Sequence, residues 1–347
     1  MARVLLVFGG QSSEHEVSCE SAVSVFEALD AGGHRVVPVG ISRDGEWFLV
    51  DTSFRPFRAE GRPVSLAIPD AVLKVGGDVV EFDVAFPVLH GPMGEDGTLQ
   101  GMFEMAGVPY VGCDVRASAV TMDKDLSKRL VEAAGIPTSP WRTIRRREWL
   151  SDAEAVAEAV AHGLRFPLFV KPSAQGSSVG ISKAGDTAQL LSGVANAFRY
   201  DTKVVVEEAV VGREIEVAVL DGPRASVPSE IIVTAEFYTY EAKYADDTSQ
   251  CIAPADLGEN ATKTVRAMAE AIFDLFGLTG LARVDFFYER ATNQFLFNEV
   301  NTMPGFTSIS GFPKMWLASG MTYEQLCSHL VDAALDRFDD QRRLAMR

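Results

Sequence analysis

The sequence predicts an α/β protein built from three domains. Its 347 residues are more than one hydrophobic core ordinarily organises. An apolar strand over residues 4–8 leads through a glycine-rich turn into a helix over 17–31, and a second strand follows at 35–41. Another apolar run at 83–89 continues the alternation. Strands that alternate with helices are typical of a parallel sheet covered on both faces.

The order of the predicted elements divides the chain into three blocks. Residues 1–117 form the first, in which 42–78 is expected to be a hairpin with loops inserted into the α/β unit. Residues 118–208 and 209–347 form the second and third. Their predicted helices lie at 124–134, 187–198 and 261–276, with a closing helix from Thr322, and their predicted strands at 167–171, 178–182, 203–208, 214–220, 231–235, 281–288 and 294–300. The loop 236–255 is long enough to be expected to act as a functional lid.

Composition argues against several classes of function. The net charge is −16, whereas nucleic-acid binding requires a basic stripe opposite the backbone phosphates. The basic run at 145–147 is expected to be a solvated linker face. The first apolar run, of five residues, is too short for a signal peptide or a membrane span. Four widely spaced cysteines indicate reduced thiols, so we expect a cytoplasmic protein without membrane contact.

Two segments near the carboxyl terminus predict a metal site. Side chains alternate faces along a strand, so Arg283 and Asp285 share one face of the first segment. On the second segment, the residues expected to share one face are Phe295, Phe297, Glu299 and Asn301. A turn centred on Thr292 would set Asp285 opposite Glu299, and Arg283 opposite Asn301. Opposed carboxylates are destabilising, and Mg²⁺ with oxygen ligands would resolve the conflict. The alternative is that Arg283 neutralises both acids in a buried ion network.

Residues 171–180 have features of a phosphate-binding loop. Lys171 ends a predicted strand, and Gly176 and Gly180 follow in the loop. Glycines allow backbone N–H groups to approach phosphate oxygens, and the lysine supplies the countercharge. An ordinary glycine turn is the alternative. Lys124 begins a predicted amphipathic helix and, taken alone, is expected to be a surface lysine.

Polar residues also follow predicted strands at the sheet edge where α/β proteins bind ligands. Glu14 and His15 lie in the first strand-to-helix turn, and His90 ends a strand before a glycine-rich loop. The alternatives are an acidic residue at a helix N-terminus and a structural histidine. Glu207 and Glu208 end an apolar strand, where a return to solvent is the simplest interpretation.

Taken in order, these segments resemble the D-alanine–D-alanine ligase family over about residues 4–335. The matching segments are GGQSSEHEVS at 9–18, HGPMGEDG at 90–97, MDK at 122–124, KPSAQGSSVG at 171–180, EAKY at 241–244, RVD at 283–285 and NEVNTMPGFTSIS at 298–310. Several are weak singly, but together they are very specific. The resemblance implies an N-terminal substrate-binding domain followed by two ATP-grasp domains of α+β type, with ATP held between those two.

The resemblance also implies a reaction. Two D-alanine molecules would be joined at the expense of ATP, through a D-alanyl phosphate and a tetrahedral intermediate, for peptidoglycan precursor synthesis. Two Mg²⁺ ions, for which Mn²⁺ could substitute, and a homodimer are implied as well. The residues implied to bind ATP are Lys124, Lys171, Ser177, Glu207, Glu208, Glu214, Lys243 and Asn298. The residues implied to hold magnesium are Asp285, Glu299 and Asn301.

Catalytic roles follow from the same resemblance. Glu14 would bind the ammonium of the first D-alanine, with His90 nearby. Tyr244 and Ser177 would form a hydrogen-bonded link to Glu14 and so close the loop that carries Lys243.

The second half of the reaction is implied to use residues near the end of the resemblance. Arg283 and the backbone of Gly305 would hold the oxyanion, and Ser310 the carboxylate of the second D-alanine. Many members carry Met or Leu where this chain has Gly311, so use of D-serine or D-lactate stays open, although Tyr244 favours D-alanine. A non-catalytic ATP-binding module and a periplasmic-type binding protein are the competing hypotheses from different functional classes.

Overall fold

The amino-terminal part of the chain forms a sheet whose central strands are parallel, as the sequence predicts. The computed structural model describes residues 1–68, 70–233 and 249–345. In chain order the first elements are β1 (Arg3–Gly9), α1 (His15–Ala31), β2 (Arg35–Ile41), β3 (Trp47–Val50), β4 (Gly61–Pro63), β5 (Ser65–Ala67), β6 (Val72–Val75), β7 (Asp78–Val80) and β8 (Val84–Pro87). The main sheet has the order β4-β3-β2-β1-β8, and β1 is parallel to both β2 and β8.

The first strand is buried on both faces because two cores meet across it. Val4, Leu6 and Phe8 point into one hydrophobic cluster, and Leu5 and Val7 into another. This alternation follows from the two-residue period of a strand. The predicted hairpin over 42–78 is more extensive than expected: β3 and β4 extend the main sheet, while β5-β6-β7 form a small antiparallel sheet of their own.

The middle of the chain carries a four-stranded antiparallel sheet. Its elements are α2 (Thr98–Ala106), α3 (Val115–Met122), α4 (Lys124–Ala133), β9 (Trp141–Arg145), α5 (Arg146–Ser151), α6 (Ala153–Gly163), β10 (Leu168–Pro172), β11 (Ser182–Ala184), α7 (Thr187–Ala197) and β12 (Lys203–Glu208), and the strand order is β11-β10-β12-β9. Two expectations are wrong here. The strand predicted at 178–182 begins only at Ser182, because Ser177 and Ser178 adopt positive φ angles of 46° and 60°. The exposed basic run 145–147 is not a linker: it ends β9 and begins α5.

The last part of the chain forms a second antiparallel sheet, with the order β16-β15-β13-β17-β18 and β14 paired with β13. The elements are β13 (Arg213–Leu220), β14 (Arg224–Ala225), β15 (Ser229–Val233), β16 (Ser249–Ile252), α8 (Glu259–Phe276), β17 (Leu281–Glu289), β18 (Gln294–Asn301), α9 (Gly311–Ala318) and α10 (Tyr323–Ala345). The predicted capping box at the start of α10 is confirmed. Thr322 N–H donates to Gln325 Oε1 at 3.0 Å, and Gln325 N–H donates to Thr322 Oγ1 at 3.3 Å.

The two ends of the chain share a core. Phe8 and Phe86 of the first sheet belong to the same buried cluster as Phe312 and Trp316 of α9 and Leu330 of α10. This packing brings the loop before α9 close to the edge of the first sheet. Within the described residues, no helix is both long and apolar enough to cross a bilayer. We retain the domain boundaries near residues 117 and 208 as a proposal.

Candidate active site

A cleft of about 1160 Å³ opens where loops of the first sheet meet the last sheet and the start of α9. Nine of the residues predicted for the site line it: Glu14, His90, Lys124, Ser177, Arg283, Glu299, Asn301, Gly305 and Ser310. Others lie outside this lining: Lys171, Glu207, Glu208, Glu214, Asp285 and Asn298. Lys243, Tyr244 and most of the predicted lid loop lie outside the described residues.

A row of acidic residues crosses three adjacent strands on the cleft side of the last sheet. Asp285 lies opposite Glu299 in one pairing and opposite Glu216 in the other, and Arg283 lies opposite Asn301. The predicted pairing of Asp285 with Glu299 and of Arg283 with Asn301 is therefore confirmed. Arg283 donates a bidentate pair of 2.7 Å hydrogen bonds to Asp285, and its Nε lies 3.3 Å from Glu216 Oε1.

The predicted placement of the two phenylalanines of β18 is wrong. A register shift lies between Asp285 and Phe286, so that Phe286 pairs with Phe297 and Asn298 is left without an opposite residue. This β-bulge reverses the alternation. Before it, Phe295 and Phe297 point into the core; after it, Glu299 and Asn301 line the cleft.

Burial of this acidic row has an electrostatic cost. Burial raises the pKa of Asp285 to about 7, and the negative charges of Glu216 and Glu299 add to the effect, although Arg283 opposes it. Arg283 offsets part of the repulsion through its contacts with Asp285 and Glu216. An additional cation at this row would therefore be stabilised.

The donor set suits a hard divalent cation. Asp285, Glu299 and Asn301 present carboxylate and amide oxygens, which are the ligands that magnesium prefers. Among the described residues, no three His, Cys, Asp or Glu side chains are placed to hold a metal by themselves. A cation here would take further ligands from phosphate oxygens, as magnesium does in nucleotide sites.

Lys124 is a buried residue of the cleft, so the interpretation as a surface lysine is wrong. It is the first residue of α4, and Asp123 caps that helix by accepting from the N–H groups of Asp125 and Leu126. Lys124 Nζ donates to Gln175 O at 2.8 Å and lies 3.5 Å from Glu299 Oε2. The lysine therefore joins the glycine-rich loop to the acidic row.

Glu14 lies in the cleft between two loops, which contain Gly91 and Gly176. It is buried at the start of α1, but its side chain does not cap that helix. Its carboxylate instead accepts a hydrogen bond from Ser177 Oγ. A Cβ on Gly91 would lie only 2.8 Å from Glu14 Oε2, and one on Gly176 only 3.2 Å. Glu14 is the N-cap residue of α1, as the alternative expects, but it makes no capping hydrogen bond, and the Ser177 half of the predicted link to Glu14 is present.

His90 holds the loop that contains Gly305. Its Nδ1 lies 2.9 Å from Met303 O and must donate to that carbonyl, so Nε2 accepts from Ser21 Oγ at 3.2 Å. Ser21 Oγ in turn accepts from Phe306 N–H at 3.4 Å. Burial lowers the pKa of His90, which agrees with a neutral ring. These contacts give His90 a positioning geometry rather than an open catalytic one.

The loop before α9 brings small groups to the cleft. Thr307 holds Ser310: its N–H lies 3.1 Å from Ser310 Oγ, and the two hydroxyl oxygens are 2.7 Å apart. A Cβ on Gly311 would lie 3.0 Å from Glu216 Oε2 and 3.3 Å from Cys251 Sγ. The residue after Ser310 therefore faces the acidic row.

Glu207 is buried in an ionic cluster with Lys171 and Lys128, at 3.2 and 3.3 Å from the two Nζ atoms. The expected return of Glu207 to solvent is wrong. Glu208 pairs with Arg165 at 2.9 Å near the surface. Glu214 lies opposite Phe287 in β17.

Three residues of this region are absent from the sequence prediction: Lys128, Glu95 and Glu216. Glu216 shares a strand face with Glu214, so side-chain alternation could have found it. Lys128 lies one helical turn after Lys124, which is a weak signal of a shared face. Glu95 is buried in the loop after His90, and burial, with the charge of Glu14, raises its pKa to about 8.

Comparison with known proteins identifies the family. The family model described as D-ala D-ala ligase N-terminus matches residues 3–113, and the model described as D-ala D-ala ligase C-terminus matches residues 130–332. The chain is 44% identical to the D-alanine–D-alanine ligase of Acetivibrio thermocellus, with 97% of each chain covered. The chain belongs to the D-alanine–D-alanine ligase family. A relative from Bradyrhizobium diazoefficiens, D-alanine–D-alanine ligase A, is 45% identical over 99% of this chain and 97% of its own.

Solved structures of the D-alanine–D-alanine ligase family have the same fold. The D-alanine–D-alanine ligase from Coxiella burnetii matches with a TM-score of 0.88 at 36% identity, covering 99% of this chain and 97% of that one. The VanG D-Ala:D-Ser ligase from Enterococcus faecalis matches with a TM-score of 0.84 at 36% identity, covering 96% and 99%. The resemblance drawn from the motifs and the α/β fold class are confirmed. The chain is accordingly an ATP-dependent ligase of the ATP-grasp type.

Proposed function

We propose that this ligase joins two D-alanine molecules into D-alanyl-D-alanine, with ATP converted to ADP and phosphate. The observation that carries the proposal is one cleft that joins a fixed carboxylate, Glu14, to a cation–carboxylate row built on Arg283 and Glu299. An amino acid has an ammonium group that can pair with Glu14. Its carboxylate can face the cationic Arg283 of the row. The supply of a peptidoglycan precursor, in the cytoplasm, is the role that we propose for the product.

In the first step, the carboxylate of the first D-alanine attacks the γ-phosphorus of ATP, and ADP leaves. A carboxylate is a poor electrophile, and the acyl phosphate formed makes its carbonyl carbon reactive. Glu14, held by Ser177, would bind the ammonium and orient the substrate. Lys124 and Lys171 would neutralise negative charge on the transferring group.

Magnesium fits the donor set described above, and Asp285, Glu299 and Asn301 would hold two ions. When bound, magnesium neutralises phosphate charge and aligns the transferring group. Manganese, which accepts the same oxygen ligands, could substitute for it.

In the second step, the amine of the second D-alanine attacks the acyl carbon, and phosphate leaves after a tetrahedral intermediate. Arg283 and the backbone N–H of Gly305 would donate to the oxyanion; in other enzymes one such donor contributes roughly 3–4 kcal/mol. Ser310 would bind the carboxylate of the acceptor. His90 would act by fixing the Gly305 loop through Met303.

The choice of acceptor depends on the pocket beside Gly311. A relative of known structure is a D-Ala:D-Ser ligase, and a side chain at Gly311 would press against Glu216 and Cys251, so the size of this residue affects the space beside the acidic row. We propose D-alanine as the preferred acceptor and D-serine as the competitor to test. The loop 236–255, with Lys243 and Tyr244, is proposed to close over the substrates, and the assembly is proposed to be a homodimer.

The deciding experiment is phosphate release from ATP with magnesium, in the presence of D-alanine, L-alanine, D-serine or D-lactate, with the product identified by mass. D-alanyl-D-alanine formed from D-alanine alone is the expected result. A higher kcat/KM for a mixed product in acceptor competition would reassign the acceptor. No release with any of them would refute the reaction.

A further inference from the structure

Among the residues that the structure describes, Glu207 is held through only one of its two oxygens. Oε2 lies 3.3 Å from Lys128 Nζ and 3.2 Å from Lys171 Nζ, and it accepts a hydrogen bond from Ser139 Oγ at 3.2 Å. Oε1 is also buried, but no donor among the described residues reaches it. A buried acceptor without a donor is unfavourable. This oxygen therefore points to a ligand that donates a hydrogen bond.

Lys128 is the most firmly fixed cation of the cluster. It is fully buried on α4, and its Nζ donates to Thr138 Oγ1 at 2.9 Å and to Ser139 Oγ at 3.1 Å. Thr138 in turn donates to Phe297 O at 2.9 Å, which ties the group to β18. Lys171 reaches Glu207 from a half-buried position near the end of β10.

The two lysines reach Glu207 from different elements. Phe169 of β10 lies opposite Glu207, so Lys171, two residues on, is a diagonal neighbour on the same face. Burial alone raises the pKa of Glu207, but Lys128 and Lys171 outweigh it and lower the pKa to about 2. With Lys128 in place, Glu207 keeps a cationic partner even when Lys171 turns toward another anion.

We propose that Lys128 is a positioning residue that selects adenine nucleotides over 6-oxopurine nucleotides. It holds Glu207 Oε2, so that Oε1 is presented to the 6-amino group of the base, and it leaves Lys171 available for a phosphate. A 6-oxopurine would place a carbonyl oxygen against Glu207 Oε1, and two acceptors repel each other. The inference rests on the proposed function, and it assigns the contact with the adenine to Glu207, which the motif resemblance implies to bind ATP.

The test compares the full chain with three variants, using ATP and ITP as magnesium salts. K128M removes the buried cation, and E207Q supplies an amide that can donate to a 6-oxo group. K203M is the matched control, because Lys203 lies on the same strand as Glu207 but pairs with Asp123 and Asp125. Steady-state kinetics give the ratio of kcat/KM for ATP to that for ITP, and calorimetry gives the affinities for ADP and IDP.

For K128M we expect KM for ATP to rise about tenfold and the ATP-to-ITP ratio to fall by about ten- to a hundredfold, the size of one hydrogen bond to a charged group. K203M should keep the wild-type ratio, since a loss of stability alone does not discriminate between purines. If K128M is not folded, K128Q, which removes the charge but keeps a donor, takes its place.

The variants separate the two assignments. An unchanged ratio in K128M, together with a lower ratio in E207Q, would overturn the role of Lys128 and leave Glu207 as the adenine contact. An unchanged ratio in E207Q would overturn the adenine contact itself, and with it the inference. Equal loss of ratio in K128M and K203M would show a general effect of removing a paired lysine from this domain and would also overturn the inference.

Discussion

Replacing Gly91 by alanine tests whether Glu14 must be held in place to bind the first amino acid. Gly91 has a φ of 76°, and an added Cβ would lie 2.8 Å from Glu14 Oε2. That distance is too short for a carbon–oxygen contact, so the carboxylate must move. Ser177 Oγ donates to the same carboxylate, and this hydrogen bond would be strained or lost.

The substitution has two separable costs. A side chain in the left-handed region costs about 1–2 kcal/mol of stability. Displacement of Glu14 adds the loss of a hydrogen bond to a charged group, about 1.5–3 kcal/mol. If this second part falls on substrate binding, it corresponds to a fall of about ten- to a hundredfold in kcat/KM for D-alanine.

Gly135 provides the matched control for the first cost. It also has a φ of 76°, and an added Cβ would meet nothing within 4 Å. Both variants should lose stability in denaturant unfolding through the left-handed backbone, and G91A should lose more than G135A because it also displaces Glu14. Only G91A should lose activity at low D-alanine concentration. Equal kinetics in the two variants would refute the assignment of Glu14 as the ammonium contact.

Three further variants test other parts of the site. E299Q should leave the fold intact, raise the magnesium concentration needed for half-maximal rate and lower turnover by orders of magnitude. Near-normal activity in a magnesium titration would contradict the assignment of Glu299 as a metal ligand. Burial, together with the charge of Glu14, raises the pKa of Glu95 from 4.5 to about 8. Between these pH values the folded protein keeps a proton on Glu95 that the unfolded chain releases, so the free energy of unfolding should fall as pH rises from 4.5 to 8. E95Q should show a shallower fall in unfolding experiments at several pH values, and an identical slope would refute a neutral buried Glu95. G311M should lower the use of D-serine relative to D-alanine in acceptor competition, because the added side chain begins 3.0 Å from Glu216 Oε2. An unchanged ratio of the two products would show that residue 311 does not determine the choice of acceptor.

Local patterns in the sequence predict the strands and the pairing that build the acidic row. The bounds of β2 and β12 match their predicted ranges, since apolar runs with clear ends determine them. Local patterns do not predict which single polar residues are buried. Lys128 and Glu207 are buried as an ion pair, and Lys171 is a second partner of Glu207. No local pattern contains a partner that lies 79 residues away along the chain. The motif resemblance implied that Glu207 binds ATP, but it did not imply that Lys128 holds Glu207.

The bulge at Asn298 explains why the predicted pairing of Asp285 with Glu299 is correct although the predicted face of Phe295 and Phe297 is wrong. Strict alternation would place Phe297 and Glu299 on the same side of β18, which would bury the carboxylate or expose the ring. The chain avoids both outcomes by inserting one residue, so that Phe297 stays in the core while Glu299 and Asn301 line the cleft. An apolar core thus continues directly under a charged site. Deletion of Asn298 would make Phe297 and Glu299 consecutive, so simple alternation would keep the ring in the core and the carboxylate in the cleft. The bulge thus gives a strand with one more residue the same two faces.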